Sequence, residues 1–302
     1  MVDMSVNIAG VTLKNPVTVA SGCFAFGREY NEFYPISELG AVSSKGLTYQ
    51  KRLGNDAPRI TETPMGLLNS VGLQNPGIED FVKYELPFMK EVGATVIANI
   101  AGKTVSEFAK MAEILDETEV DMIELNVSCP NVASGGMAFG VSCDAVSEIT
   151  SLVRKSTKKP VIVKLSPNVT SVADIARAAE SAGADCISLI NTLLGMRINI
   201  NTRRPILKNN TGGLSGPAVF PVAVRMVRDV YKAVKLPIIG MGGITTAEDA
   251  VEMMIAGATA VSVGSANLAD PYAAYSIVNE LAEYFEKNNL KPSDITGSLI
   301  EY

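Results

Sequence analysis

The chain of 302 residues has no histidine and no tryptophan, and it is 47% hydrophobic and 19% charged, the composition of a well-buried globular protein. Without imidazole there is no Ser-His-Asp or Cys-His nucleophile system, no His-ligated zinc or non-haem iron, and no histidine general base. With 26 Lys and Arg against 32 Asp and Glu, the net charge is −6 and no basic run occurs, which points away from nucleic acid and anionic membrane surfaces.

The N-terminus, Met1-Val2-Asp3-Met4, has neither the basic n-region nor the apolar h-region of a signal peptide. No stretch approaches the ~20 apolar residues of a membrane span. Residues 5–14 read as a β-hairpin turning at Ala9-Gly10. From there, short β-branched apolar runs alternate with helical stretches rich in Ala, Glu and Lys. Strands are predicted at 17–21, 41–45, 95–100, 122–126, 161–165, 186–190, 237–240 and 260–264. Helices are predicted at 78–92, 106–117, 145–156, 172–182, 218–234, 247–256 and 272–287. Val161-Ile162-Val163 is apolar at consecutive positions, as in strands buried on both faces of a parallel sheet.

Eight strands with intervening segments count to a (β/α)8 TIM barrel forming one domain over 1–302, with the N-terminal hairpin as a plug for its bottom. A doubly wound open sheet is the structural alternative. A barrel of this kind needs ~250 residues, so the surplus sits in three long connections, 46–77, 128–144 and 191–217. The last has room for a short hairpin. All three follow strands and therefore rise from the C-terminal face, where active sites of this fold sit. Cysteines at 23, 129, 143 and 186 are too few for a disulfide scaffold, and no pair has CxxC spacing. They fit a reducing cytosol and argue against an iron–sulfur cluster in this chain.

After strand seven the chain reads Gly240-Met241-Gly242-Gly243-Ile244, then starts a helix with Thr245 or Thr246 as N-cap and Glu248 or Asp249 to complete a capping box. After strand eight it reads Val263-Gly264-Ser265. In barrels these two loops commonly hold a ligand phosphate; the plainer reading is a pair of tight βα turns. No GxGxxG fingerprint follows an early strand, which points away from a Rossmann-type site.

Lys45, Asn99, Asn126, Lys164 and Asn191-Thr192 fall at the C-terminal ends of strands two to six. A single buried lysine can simply snorkel to the rim. Two lysines and three asparagines at five strand ends suit an anionic, flat ligand with alternating C=O and N–H groups. In Asn126-Val127-Ser128-Cys129-Pro130-Asn131, Cys129 sits at the barrel mouth ahead of a Gly-rich segment, 133–140. A lone cysteine is more often inert packing, but on a lid loop this one could exchange a proton with a bound ligand. Cys23 lies early in a loop and Cys186 reads as core.

These stretches, in order, resemble the class 1 dihydroorotate dehydrogenases over nearly the whole chain. The matching segments are Asn15-Pro16 to Gly22, Ser44-Lys45-Gly46 and Asn69-Ser70-Val71-Gly72-Leu73-Gln74-Asn75-Pro76-Gly77. They continue with Asn126 to Asn131, Gly212-Gly213-Leu214-Ser215-Gly216-Pro217, Gly240 to Ile244 and Val263-Gly264-Ser265. The Asn69 to Gly77 segment is most similar to the NAD-linked class 1B branch.

The resemblance implies a cytoplasmic enzyme that oxidises dihydroorotate to orotate in pyrimidine (UMP) biosynthesis, with a non-covalent FMN. FMN would meet Ser21, Lys45, Gly46, Asn99, Asn126, Lys164, Ile190, Gly216, Gly242, Gly243, Gly264 and Ser265, the last four around its phosphate. Substrate would meet Lys45, Asn69, Ser70, Val71, Gly72, Leu73, Asn126, Asn191 and Thr192. Cys129 would take the proton, FMN N5 the hydride, and Lys164 would stabilise negative charge near N1. The resemblance further implies a partner subunit with FAD and a [2Fe–2S] cluster that passes electrons to NAD, in a two-plus-two heterotetramer. No metal site is implied in this chain. Another phosphate-binding or flavin barrel enzyme, or a non-catalytic FMN-binding subunit, are the competing readings.

Overall fold

The computed structural model describes residues 2–127 and 139–302. Cys129 and the greater part of the Gly-rich segment, to residue 138, lie outside the described residues. Two short strands, β1 (Val6–Ile8) and β2 (Val11–Leu13), pair antiparallel as the predicted hairpin, with Ala9 and Gly10 at positive φ in its turn.

The barrel strands are β3 (Val17–Val19), β4 (Ala41–Ser43), β7 (Val96–Ile100), β8 (Met122–Asn126), β9 (Val161–Lys164), β10 (Cys186–Leu189), β15 (Ile238–Met241) and β16 (Ala260–Val263). They close in the order β10-β15-β16-β3-β4-β7-β8-β9, with every pairing parallel. The fold is therefore the expected TIM barrel, and the open sheet is excluded. The consecutive apolar runs are explained directly: one set of side chains faces the helices and the alternate set faces the barrel interior.

The interior is layered. Its bottom layer joins Ala41, Ile97, Met122, Ile162, Cys186, Ile239 and Ala260 to Val6, Ile8 and Leu13 of the hairpin, so the hairpin does plug the barrel. Two residues further along the same strands, the inward positions become Ser43, Asn99, Glu124, Lys164, Ser188 and Ser262, all buried. The period-2 geometry of strands thus places a polar floor directly beneath the mouth.

The long connections contain more structure than their Gly/Pro punctuation indicates. β5 (Ile60–Thr63) and β6 (Gly66–Asn69) from the first join β11 (Leu193–Gly195) and β14 (Gly212–Ser215) from the last in an antiparallel sheet ordered β11-β14-β6-β5. β12 (Ile198–Asn199) and β13 (Arg204–Pro205) form the short hairpin expected within 191–217.

The helix expected over 78–92 is interrupted. Ile78–Asp80 is α-helical, Phe81–Glu85 is π-helical and Leu86–Glu91 is α-helical again. Pro87 has no N–H to bond back into the preceding turn, and the chain widens there. Among the described residues no helix is long and apolar enough to cross a membrane.

Candidate active site at the barrel mouth

The floor of the mouth is held by one carboxylate. Glu124 on β8 is 2% exposed. It accepts 2.5 Å from Asn99 Nδ2 on β7 and 2.7 Å from Ser188 Oγ on β10. The backbone N–H of Asn99 in turn donates to Ser44 Oγ. Asn99 Oδ1 is buried with no protein partner. It faces Gly46, where an added Cβ would stand 3.0 Å from it. An unpaired buried acceptor carries a desolvation cost unless a ligand supplies a donor.

Two cations rise from this floor. Lys164 is 4% exposed, and its Nζ makes one long 3.4 Å contact with Ser21 Oγ. Lys45 lies over the Gly22 backbone, a Cβ there standing 3.3 Å from Nζ. No carboxylate among the described residues comes within ion-pair distance of either. Burial pushes the Lys45 pKa down; Cys23 pulls it partly back up, and the lesser effects of the nearby Arg59 and Lys164 charges lower it again. Burial pushes the Cys23 thiol up, opposed by Lys164 and Lys45. Cys23, which the sequence left without context, is therefore close enough to both lysines to feel their charge. Cys186 is core, its thiol held well up by burial. A buried cation without a counter-ion, as at Lys164, is costly, and a bound anion would offset that cost.

The two glycine loops differ in what their glycines do. Gly216 (φ 101°), Gly242 (φ 123°) and Gly243 (φ 81°) hold conformations that L side chains rarely adopt. A Cβ on Gly243 would stand 2.7 Å from Phe220 Cβ and 2.8 Å from Gly216 O, and one on Gly242 would press on Ile190 and Ala223 at 3.0 Å. These glycines are needed by the turn itself. Gly264 is different: a Cβ there would meet only Ala20 Cβ at 3.7 Å and Cys23 Sγ at 4.0 Å, so the chain leaves room beside it.

The helix Ala247–Ala256 has the expected capping box, between Thr246 and Asp249. The Asp249 carboxylate also accepts from Thr245 N and Thr246 N. The helix start is thus already occupied by its own acid, and open space beside the backbone lies at Gly264 instead.

The wall over the mouth comes from the segment after β6. Asn69 is tied to β14 through Nδ2 to Gly213 O at 3.4 Å. Ser70 Oγ is buried without a protein partner. Val71 O accepts from Asn55 N, Gly72 has φ 77°, and Leu73 has φ 55°. The Leu73 side chain covers Gly46, its Cδ2 standing 3.1 Å from a Cβ built there. Arg59, which sequence reasoning passed over, adds a third cation close enough to perturb Lys45. It is held by Gln74 Oε1 and Asn55 O.

On the opposite side Asn191 Nδ2 donates to Asn126 Oδ1 at 3.3 Å, and Thr192 N donates to Asn191 Oδ1 at 2.8 Å. Ile190 N donates to Met241 O. Ser265 precedes the four-residue helix Ala266–Ala269 without a capping bond from its side chain. The strand-end set is thus gathered at one mouth; Cys129 lies outside the described residues.

The class these features define is a TIM barrel whose mouth gathers two lysines without counter-ions among the described residues, three asparagine amides and the glycine loops after the last two barrel strands. The family model for dihydroorotate dehydrogenase matches residues 3–285. The chain is 52% identical over 298 residues to the "Dihydroorotate dehydrogenase B (NAD(+)), catalytic subunit" of Thermoanaerobacter pseudethanolicus, covering 98% of this chain and 99% of that one. It is likewise 52% identical over 300 residues to the protein of that name from Geotalea uraniireducens, covering 99% and 98%. To that from Geobacillus kaustophilus it is 53% identical over 279 residues, covering 92% and 89%. The chain belongs to the dihydroorotate dehydrogenase family.

Proposed function

We propose that this chain is the catalytic subunit of an NAD-linked dihydroorotate dehydrogenase, oxidising dihydroorotate to orotate in pyrimidine biosynthesis. The observation that carries this reading is the buried Lys164 and the half-buried Lys45, neither with a carboxylate partner among the described residues, at a mouth that also holds a buried amide oxygen without a protein donor, Asn99 Oδ1. Dihydroorotate is a flat cyclic diamide with a carboxylate. Lys45, with Arg59 nearby, offers charge to that carboxylate, and the amides of Asn69, Asn126 and Asn191 offer donors and acceptors to the ring. Ser70, Val71, Gly72, Leu73 and Thr192 complete the substrate wall.

The residues fit FMN. The space beside Gly264, the orphan Asn99 Oδ1 and the lysine charges suit its phosphate-bearing chain and polar ring. Ser21, Lys45, Gly46, Asn99, Asn126, Lys164, Ile190 and Gly216 would hold the ring and ribityl portions. Gly242, Gly243, Gly264 and Ser265 would hold the phosphate. Bound FMN supplies the hydride acceptor that no side chain provides.

Forming the new ring double bond removes a hydride from one carbon and a proton from its neighbour. Cys129 is assigned the proton, which it would take as a thiolate; an unperturbed thiol has a pKa of ~8.5. Lys164 places positive charge against the cofactor, and Leu73 with its segment excludes water from above. A partner subunit with FAD and [2Fe–2S] would carry the two electrons to NAD, in an assembly of two copies of each.

The test is anaerobic addition of dihydroorotate to the purified protein. Bleaching of a yellow chromophore with stoichiometric orotate formation is the expected result. A colourless protein, or a yellow one that dihydroorotate does not bleach, would overturn the proposal.

A further inference from the structure

Among the described residues Glu124 is the only buried acid, and it touches none of the groups assigned above to substrate. Its two carboxylate oxygens are both used as acceptors, one by Asn99 Nδ2 and one by Ser188 Oγ. That bonding fixes which end of the Asn99 amide faces the mouth. Were the amide turned over, its oxygen would oppose the carboxylate oxygen, acceptor against acceptor. With Nδ2 held below, Oδ1 is left facing Gly46 with no protein donor. The mouth therefore receives an acceptor from Asn99, suited to a ring N–H.

We propose that Glu124 is a positioning residue for the cofactor: its carboxylate sets the Asn99 amide, and its charge lies beneath the bound ring. This rests on the flavin reading of the site. Ser188 serves the same arrangement from the other side, steadying Glu124 through β10. The charge has a consequence that packing alone would lack. A negative group under the ring opposes the uptake of electrons there, in a low-dielectric interior where such effects are least screened.

The experiment compares the full chain with Glu124→Gln and Glu124→Leu, measuring FMN dissociation constants by fluorescence titration and the midpoint potential of bound FMN. Gln keeps the geometry: its Oε1 can accept from Asn99 while its Nε2 donates to Ser188 Oγ. Glu124→Gln is therefore expected to bind FMN within about threefold of wild type. Its potential should move upward, at ~30 mV for each tenfold change in relative affinity for the two-electron couple.

Leu removes both bonds and frees the Asn99 amide. Glu124→Leu is expected to weaken FMN binding about tenfold. Adding Asn99→Ala to it should cost little more, because both changes remove the same set oxygen. Should the Leu variant not fold, the potential of the Gln variant decides. Wild-type affinity and potential in both variants, or fully additive losses with Asn99→Ala, would overturn the positioning role while leaving the flavin reading intact. A wild-type protein that takes up no FMN would overturn both.

Discussion

Gly264→Ala separates the needs of the fold from those of the ligand. Glycine is required at Gly243, where φ is 81° and a Cβ would stand 2.7 Å from Phe220 Cβ. At Gly264 the added methyl meets nothing closer than Ala20 Cβ at 3.7 Å, which is ordinary van der Waals contact. Replacing glycine by alanine at a compatible site stabilises by about 0.4–1 kcal/mol, through a less flexible unfolded chain. The ligand-free variant should thus melt about 1–3 °C higher than wild type. If the space beside Gly264 is where the FMN phosphate approaches the backbone, the methyl intrudes on it. Overpacking of this kind costs about 1–3 kcal/mol, a loss of roughly 5- to 150-fold in FMN affinity. The assay is a melting curve of apoprotein together with an FMN titration of each variant. Gly243→Ala is the control: it should destabilise the apoprotein by about 1–2 kcal/mol from backbone conformation alone. Undiminished FMN binding by Gly264→Ala would refute the placement of the phosphate, and an unstable apoprotein would refute the reading of open space.

Lys45→Met should abolish substrate binding yet raise the melting temperature of the ligand-free protein at neutral pH. The Lys45 pKa is lowered in the fold by burial and by Arg59 and Lys164, so its charge opposes folding. That penalty holds below the lowered value and fades as pH rises through it towards the unfolded value of ~10.4. The stability gain of the variant, followed by thermal melts across pH, should shrink at alkaline pH; a gain that grows there would contradict the cause assigned. Cys129→Ser should slow dihydroorotate-driven bleaching by about 10²–10⁴-fold and move its pH dependence upward, whereas a wild-type rate in stopped-flow traces would remove the thiol from the reaction. The single chain should oxidise dihydroorotate with artificial acceptors and use NAD poorly, and efficient NAD reduction by the pure chain would remove the need for a partner.

The barrel was readable because its information is local. Met122 to Asn126 and Val161 to Lys164 are apolar runs whose length and β-branching mark buried strands without reference to anything else. β5 and β6 were not readable for the opposite reason. Ile60–Thr63 is short and half exposed, and it is a strand only because β6 pairs with it and with β14, some 150 residues further on. Strand preference at such a place is supplied by partners rather than by the residues themselves. The same distinction divides the site. Lys45, Asn126 and Lys164 stood out as polar groups at strand ends. Glu124 lay in full view inside Met122 to Asn126 and was passed over, because its partners Asn99 and Ser188 come from other strands. Period-2 counting along β8 holds the missing signal. Met122, Glu124 and Asn126 share the inward face, so an acid there must either find donors across the barrel or stay unpaired at high cost.

That cost bears on the chemistry of a chain without histidine. No imidazole can move protons at this mouth, and the described thiols nearest it and in the core, Cys23 and Cys186, are pushed up by burial, away from the thiolate a base requires. That agrees with the proposal above, which gives the proton step to Cys129 rather than to either of these thiols. The fixed charges of the floor set the field in which the oxidation occurs, with Lys45 and Lys164 favouring negative charge above them and Glu124 opposing it. If FMN binds over this floor as proposed, the buried Lys164 and Glu124 act on it with opposite sign, so neutralising one or the other should move the flavin potential in opposite directions. Glu124→Gln should raise it and Lys164→Met should lower it, and shifts of the same sign in a redox titration would show that the floor acts through packing and not through charge.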